Sequence, residues 1–200
     1  MIVKILKSVR GFPGVNYNTN KVDRNKGELL RVANFGRLQA LSSLRPQDCI
    51  NYLQLVSGLN TRMEKPQFHA VLSAKEKSYN KDELLAVAES WLKEMGYGSQ
   101  PYLVTFHKDT ENNHVHLVTT RVSKERLKIN SAYEKIRSIK CLNKVLGYNY
   151  AMQFRFSTAA QFYMILESQG YLGRDFNQQK LQEKINGYTP DKFRISELKV

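Results

Sequence analysis

Acidic residues are in short supply. The 200-residue chain sets 18 Asp+Glu against 31 Lys+Arg, a formal net charge of +13. That imbalance favours a polyanionic partner, either nucleic acid or an acidic membrane surface. Cysteine is scarcer still: Cys49 and Cys141 lie far apart with no CxxC spacing. This excludes a disulfide framework and a cysteine-rich zinc site, and reads as reduced thiols of a cytoplasmic protein. No apolar run approaches the length of a membrane span, and the opening MIVKILKSVRGFPG has no signal-peptide core or cleavage site. The expectation is a cytoplasmic location without membrane insertion. The chain contains no Walker-type glycine loop, which argues against an ATP-driven motor, and no internal repeat or low-complexity tract. Aromatics are not lacking: 11 Tyr and 9 Phe, within a hydrophobic content of 42%, exclude a disordered chain.

The pattern of elements reads as follows. MIVKILK predicts a strand over about 1–7, and the Gly-, Pro- and Asn-rich RGFPGVNYNTN a loop or irregular strand. Residues 26–33 and 46–57 read as helices, with Pro46 suited to a first turn. QFHAVLSA (67–74) predicts a second strand. Asn80 and Glu83 form a capping-box pattern opening a helix with the apolar stripe Leu84, Ala88, Trp91, Leu92 and Met95, stopped by Gly96. PYLVTFH and HVHLVTTRV predict two strands joined by KDTENN. Ser131 and Glu134 repeat the capping pattern before a helix with Ile136, Ile139, Leu142 and Leu146, closed by Gly147. Residues 157–169 read as another helix, and 171–200 as a peripheral, helical extension. The order fits an α+β fold: an antiparallel sheet with helices mainly on one face, and a main domain over 1–170.

Of four histidines, three fall within ten residues: His107, His114 and His116. Side chains at i and i+2 of a strand share a face, so His114 and His116 project together. If 108–113 is a hairpin loop, His107 ends the neighbouring strand close by. Three neutral imidazoles converging on one sheet face can hold a divalent cation and leave positions open for substrate oxygens. Asp109, two residues after His107, is placed to accept a ring N–H from a ligand histidine, or simply to shape the turn. His69 reads as a satisfied, partly buried histidine sharing a face with Val71 and Ser73.

The pattern H-x-D-x4-H-x-H resembles the histidine motif of the relaxase/mobilisation nuclease family, the single-strand endonucleases of plasmids and mobilisable elements. The likeness is greatest to Bacteroidetes members and extends through YNTNKV, FHAVLSA and FSTAAQFYMILESQGY. One departure is Thr120, where many relatives carry Asn four positions after the last histidine. The resemblance implies a nicking domain that needs Mg²⁺ or Mn²⁺ and uses a tyrosine hydroxyl to attack the scissile phosphate. The enzyme would then be joined to the DNA 5′ end and could rejoin the strand at an origin of transfer. Such proteins often continue into further domains, so the chain reads as part of a longer protein. Accessory mobilisation proteins and a transfer coupling protein are implied as partners.

The resemblance places the nucleophile after the first strand, at Tyr17. A free phenol titrates near about 10, so it needs a nearby cation to attack at neutral pH. Rolling-circle initiators and single-strand transposases share the histidine motif but carry their tyrosine after it. For them the candidates are Tyr133, Tyr148, Tyr150 and Tyr163. A non-catalytic basic nucleic-acid-binding module is the alternative from another class. Single-stranded or locally melted DNA would be held by basic residues flanking the motifs: Lys21, Arg24, Lys26, Lys108, Arg121, Lys124 and Arg126.

Overall fold

Alternation in the three central strands decides where the helices pack. In a computed structural model that describes residues 1–168 apart from 42, 75–76, 148–150 and 152, the strands are β1 (Ile2–Ile5), β2 (Gly27–Ala33), β3 (Gln67–Ser73), β4 (Tyr102–His107) and β5 (His114–Thr120). They form one sheet in the order β1-β3-β5-β4-β2, every neighbouring pair antiparallel. The helices are α1 (Pro13–Asp23), α2 (Pro46–Gly58), α3 (Lys81–Glu94), α4 (Glu134–Val145) and α5 (Ala159–Ser168), with a short 3-10 helix at Gly36–Ala40. The molecule is α+β, as its sequence implies. The extension expected over 171–200 lies outside the described residues.

One sheet face carries Phe68, Ala70 and Leu72 of β3, Val104 and Phe106 of β4, and Val115 and Leu117 of β5. These form the larger core with Leu84, Ala88, Trp91 and Leu92 of α3, Leu142 of α4 and Phe162, Tyr163 and Leu166 of α5. α3 shows its expected cap: Asn80 accepts from the backbone N–H groups of Asp82 and Glu83, and Glu83 bonds back to the Asn80 N–H. Trp91 is wholly buried and donates its Nε1–H to the Ser138 carbonyl, joining α3 to α4 at 2.9 Å. The opposite face carries Leu103 and Val118, on which Phe12 and Val15 of the α1 region and Cys49, Ile50 and Leu53 of α2 close a smaller core. Among the described residues, helices therefore cover both faces, three on one and two on the other.

Three local expectations change. The Asn-rich stretch after β1 is helical rather than loop: Pro13 starts α1, and burial of Gly14, Val15 and Asn18 overrides its poor helix propensity. GELLRVA, rich in helix formers, is instead the edge strand β2, because its backbone pairs with β4 from Gly27↔His107 to Ala33↔Tyr102, with an irregularity between Leu29 and Arg31. Ser131 does not cap α4. Tyr133 precedes it in a left-handed conformation, and Glu134 turns to Arg121 instead. Of the expected α4 stripe, Leu142 and Leu146 are buried in the core with Ser138 beside them, whereas Ile136 and Ile139 are exposed.

Candidate active site

The hairpin of β4 and β5 brings the three histidines together as their spacing implies. His107 and His114 are cross-strand partners, and His116 lies two residues further along the same face. The ring centroids of His107 and His116 are 4.2 Å apart, those of His107 and His114 5.2 Å, and those of His114 and His116 5.4 Å. One nitrogen from each lies within 4.8 Å of the others. His107 and His116 are buried, whereas His114 is half-buried at the mouth.

The donors suit a metal ion. His107 Nε2 is buried with no hydrogen-bond partner among the described residues, a costly state for a polar atom unless a ligand meets it. His114 Nδ1 lies 3.0 Å from the Asn112 carbonyl oxygen, which can only accept; Nδ1 therefore carries the proton, and Nε2 keeps its lone pair. His116 Nδ1 lies 2.8 Å from His69 Nε2, so one proton is shared between two rings. For His116 to offer Nε2 as a lone pair, its Nδ1–H must donate to His69. Burial, then the neighbouring imidazoles, pushes His116 down to about 2. Burial, then the charge of His114, pushes His107 down to about 4. Both are neutral at neutral pH, the form that ligates.

Tyr17 lies over this cluster. α1 crosses the face with Phe12 and Val15 in the smaller core, and the Tyr17 ring centroid sits 5.9 Å from that of His107 and 5.7 Å from that of His116. Tyr17 is 49% exposed, so its outer side is open to a large substrate. Gly27 opens β2 against the same group: a Cβ there would lie 2.8 Å from the Phe106 carbonyl oxygen and 3.3 Å from His107 Cδ2. Only glycine lets that backbone lie so close.

The remaining expected residues divide by position. Asp109 accepts from Lys21 Nζ rather than from a triad imidazole; this bond holds the Asp109 carboxyl below its usual range and raises Lys21. It ties α1 to the hairpin loop. Arg24, Lys26 and Lys108 are exposed at the triad end of the sheet, where Lys108 N–H bonds the Lys26 carbonyl and Lys108 Nζ bonds Asn25. Arg121 does not belong to that surface. It is buried at 6% exposure, bidentate to Glu134 at 2.6 and 2.8 Å, and bonded to Ser8. Lys124 and Arg126 are exposed but follow the far end of β5, about 20 Å of strand away from His114. Thr120 is also remote: it is fully buried and bonds Ser57 at 2.8 Å.

His69 is the satisfied, buried histidine expected, but sequence reasoning did not supply its partner, His116. Alternation placed it with Val71 and Ser73, but only the β3–β5 pairing, with Val71 opposite His116 and Ser73 opposite His114, shows that this face is the triad's. Of the downstream tyrosines, Tyr163 is buried in the core of the opposite face, and Tyr133 immediately precedes α4, which packs on α3 and β1. Tyr148 and Tyr150 lie outside the described residues. No helix among the described residues is long and apolar enough to cross a membrane.

Comparison with known proteins agrees with this geometry. No curated protein and no solved structure gives a significant match. A family match does exist, to "Relaxase: MobA/VirD2-like, nuclease domain", over residues 17–149. That span runs from Tyr17 through all three clustered histidines and covers more than half of the chain. The chain belongs to the relaxase family of MobA/VirD2-like nuclease domains.

Proposed function

We propose that this nuclease domain cuts one DNA strand at an origin of transfer with the Tyr17 hydroxyl and remains joined to the 5′ end until the strand is rejoined. In the forward step the Tyr17 oxygen bonds to the scissile phosphorus as the bond to the 3′ oxygen breaks. The phenolic proton leaves to solvent, and the released 3′ oxygen takes one up. One phosphodiester is exchanged for another, so the reverse reaction needs no ATP. A divalent cation, Mg²⁺ or Mn²⁺, held by His107, His114 and His116 would supply Lewis-acid polarisation of a phosphate oxygen. The chain's own residues do the remaining work. His69 orients His116, the Asn112 carbonyl orients His114, and α1 holds the phenol beside the triad. Lys21, Arg24, Lys26 and Lys108 line the approach for a single-stranded or locally melted backbone.

The observation that carries this reading is the half-exposed Tyr17 ring within 6 Å of two triad imidazoles. It also favours a relaxase over a rolling-circle initiator or single-strand transposase, since Tyr133 and Tyr163 belong to elements on the other side of the sheet. Accessory mobilisation proteins, a transfer coupling protein and action in the cytoplasm belong to the same proposal. The test is incubation with labelled single-stranded origin DNA and Mn²⁺, then mass spectrometry of the DNA-linked peptide. The expected adduct is on Tyr17 and disappears in Tyr17→Phe with DNA binding retained. An adduct on a later tyrosine would overturn the assignment. DNA binding without metal uptake or cleavage would leave a basic binding module.

A further inference from the structure

Gln67 opens β3 buried at 3% exposure, and its position has a specific consequence for α1. Phe12 precedes α1 and has no polar side chain to cap it; Pro13 has no N–H to offer. The next backbone donor, the Gly14 N–H, goes to Gln67 Oε1 at 2.8 Å. The approach is close enough that a Cβ on Gly14 would lie 2.9 Å from Gln67 Oε1 and 2.9 Å from His69 Nδ1. His69 in turn holds His116 through its other nitrogen at 2.8 Å. Gln67 and His69 are alternate residues of one strand, so both contacts come from one rigid piece of sheet.

We propose that Gln67 and His69 form a seat for the first turn of α1 that sets how far Tyr17 stands from the histidine triad. They are positioning residues: neither touches the reacting phosphate, and both act through α1 or His116. Tyr17 lies one helical turn after Gly14, so a displacement of about 1 Å at the seat is carried directly to the phenol. The consequence for strand transfer rests on Tyr17 being the nucleophile; the seat itself does not.

The test uses the full chain with three variants. Gln67→Met keeps volume and removes the acceptor, Gln67→Glu keeps an acceptor, and Gly14→Ala drives a methyl group into the seat. The direct readout is the ¹⁹F signal of 3-fluorotyrosine at position 17 with Mn²⁺ as the probe, whose paramagnetic broadening falls steeply with distance. Broadening should weaken several-fold in Gln67→Met and Gly14→Ala at unchanged Mn²⁺ occupancy, and return in Gln67→Glu. Hydrogen exchange over residues 12–18, which needs no metal, should quicken in the first two variants and not in the third. On any oligonucleotide the wild type cleaves, single-turnover adduct formation should slow roughly 10²-fold in Gln67→Met, with DNA affinity within about twofold. Unchanged broadening and exchange in Gln67→Met would overturn the seat. An adduct on another tyrosine, with broadening and exchange behaving as stated, would overturn the nucleophile and leave the seat standing.

Discussion

The three triad histidines share a face but not a burden. His114 is half-buried and held by the Asn112 carbonyl, whereas His116 is buried and bonded to a second buried imidazole. His114→Ala should therefore leave the melting temperature nearly unchanged while lowering Mn²⁺ affinity by at least the roughly 10- to 100-fold that loss of an outer partner brings. His116→Ala should lower Mn²⁺ affinity as far and also melt earlier, because His69 Nε2 is left buried without its partner. Calorimetric Mn²⁺ titration beside thermal melting checks both. Equal melting of the two variants would show that the His69–His116 bond has no structural weight. Arg121 belongs to the same scale. Its guanidinium is closed off by Glu134, Tyr97 and Ser8 and stacked over Phe68, so it braces the end of β5 against α4. Glu134→Gln should cost about 3–5 kcal/mol in chemical denaturation, since a buried cation loses its partner. Arg121→Met should cost less.

Among the elements, α3 was legible to the residue. Its cap, its stripe of Leu84, Ala88, Trp91, Leu92 and Met95, and the left-handed Gly96 after it are all local signals that the fold respects. Asn80→Ala should destabilise by about 1 kcal/mol through the two uncapped N–H groups, measurable as a shifted denaturation midpoint at constant slope. α1 and β2 were not legible, and for opposite reasons. PGVNYNTNKVD has weak intrinsic helicity and is held helical by Phe12 and Val15 in the smaller core and by the Gln67 bond from a strand 53 residues away. GELLRVA has helix-forming residues but offers its backbone to β4. In α4 the capping pattern at Ser131 was outcompeted by an ion pair of Glu134, a long-range choice that no local motif records.

For the whole molecule, the charge of +13 is not spread evenly with respect to the site. Arg24, Lys26 and Lys108 stand near the triad, Arg121 is internal, and Lys124 and Arg126 lie beyond the other end of β5. If the first three contact backbone phosphates, log affinity for single-stranded DNA should fall against log salt with a slope of roughly −2. Lys26→Ala and Lys108→Ala should each flatten it by about 0.7, and Lys124→Ala should leave it unchanged. Filter binding across a salt series checks this. A flattened slope in Lys124→Ala would mean that the DNA track runs along the sheet to its far end.

By itself the sequence determined whatever depends on neighbours along the chain. The i, i+2 projection of His114 and His116, the hairpin that returns His107 to them, the capped helix α3 and the α+β class all follow from period and spacing. Tertiary structure alone decided which faces meet. The β3–β5 register puts His69 beside His116 across 47 residues, and the seat on Gln67 and His69 lays α1 over the triad. It also drew Asp109 to Lys21 and Arg121 into the interior. The reason is physical: periodicity states which side chains share a face of an element, but the partner of that face is chosen by burial and pairing summed over the folded chain.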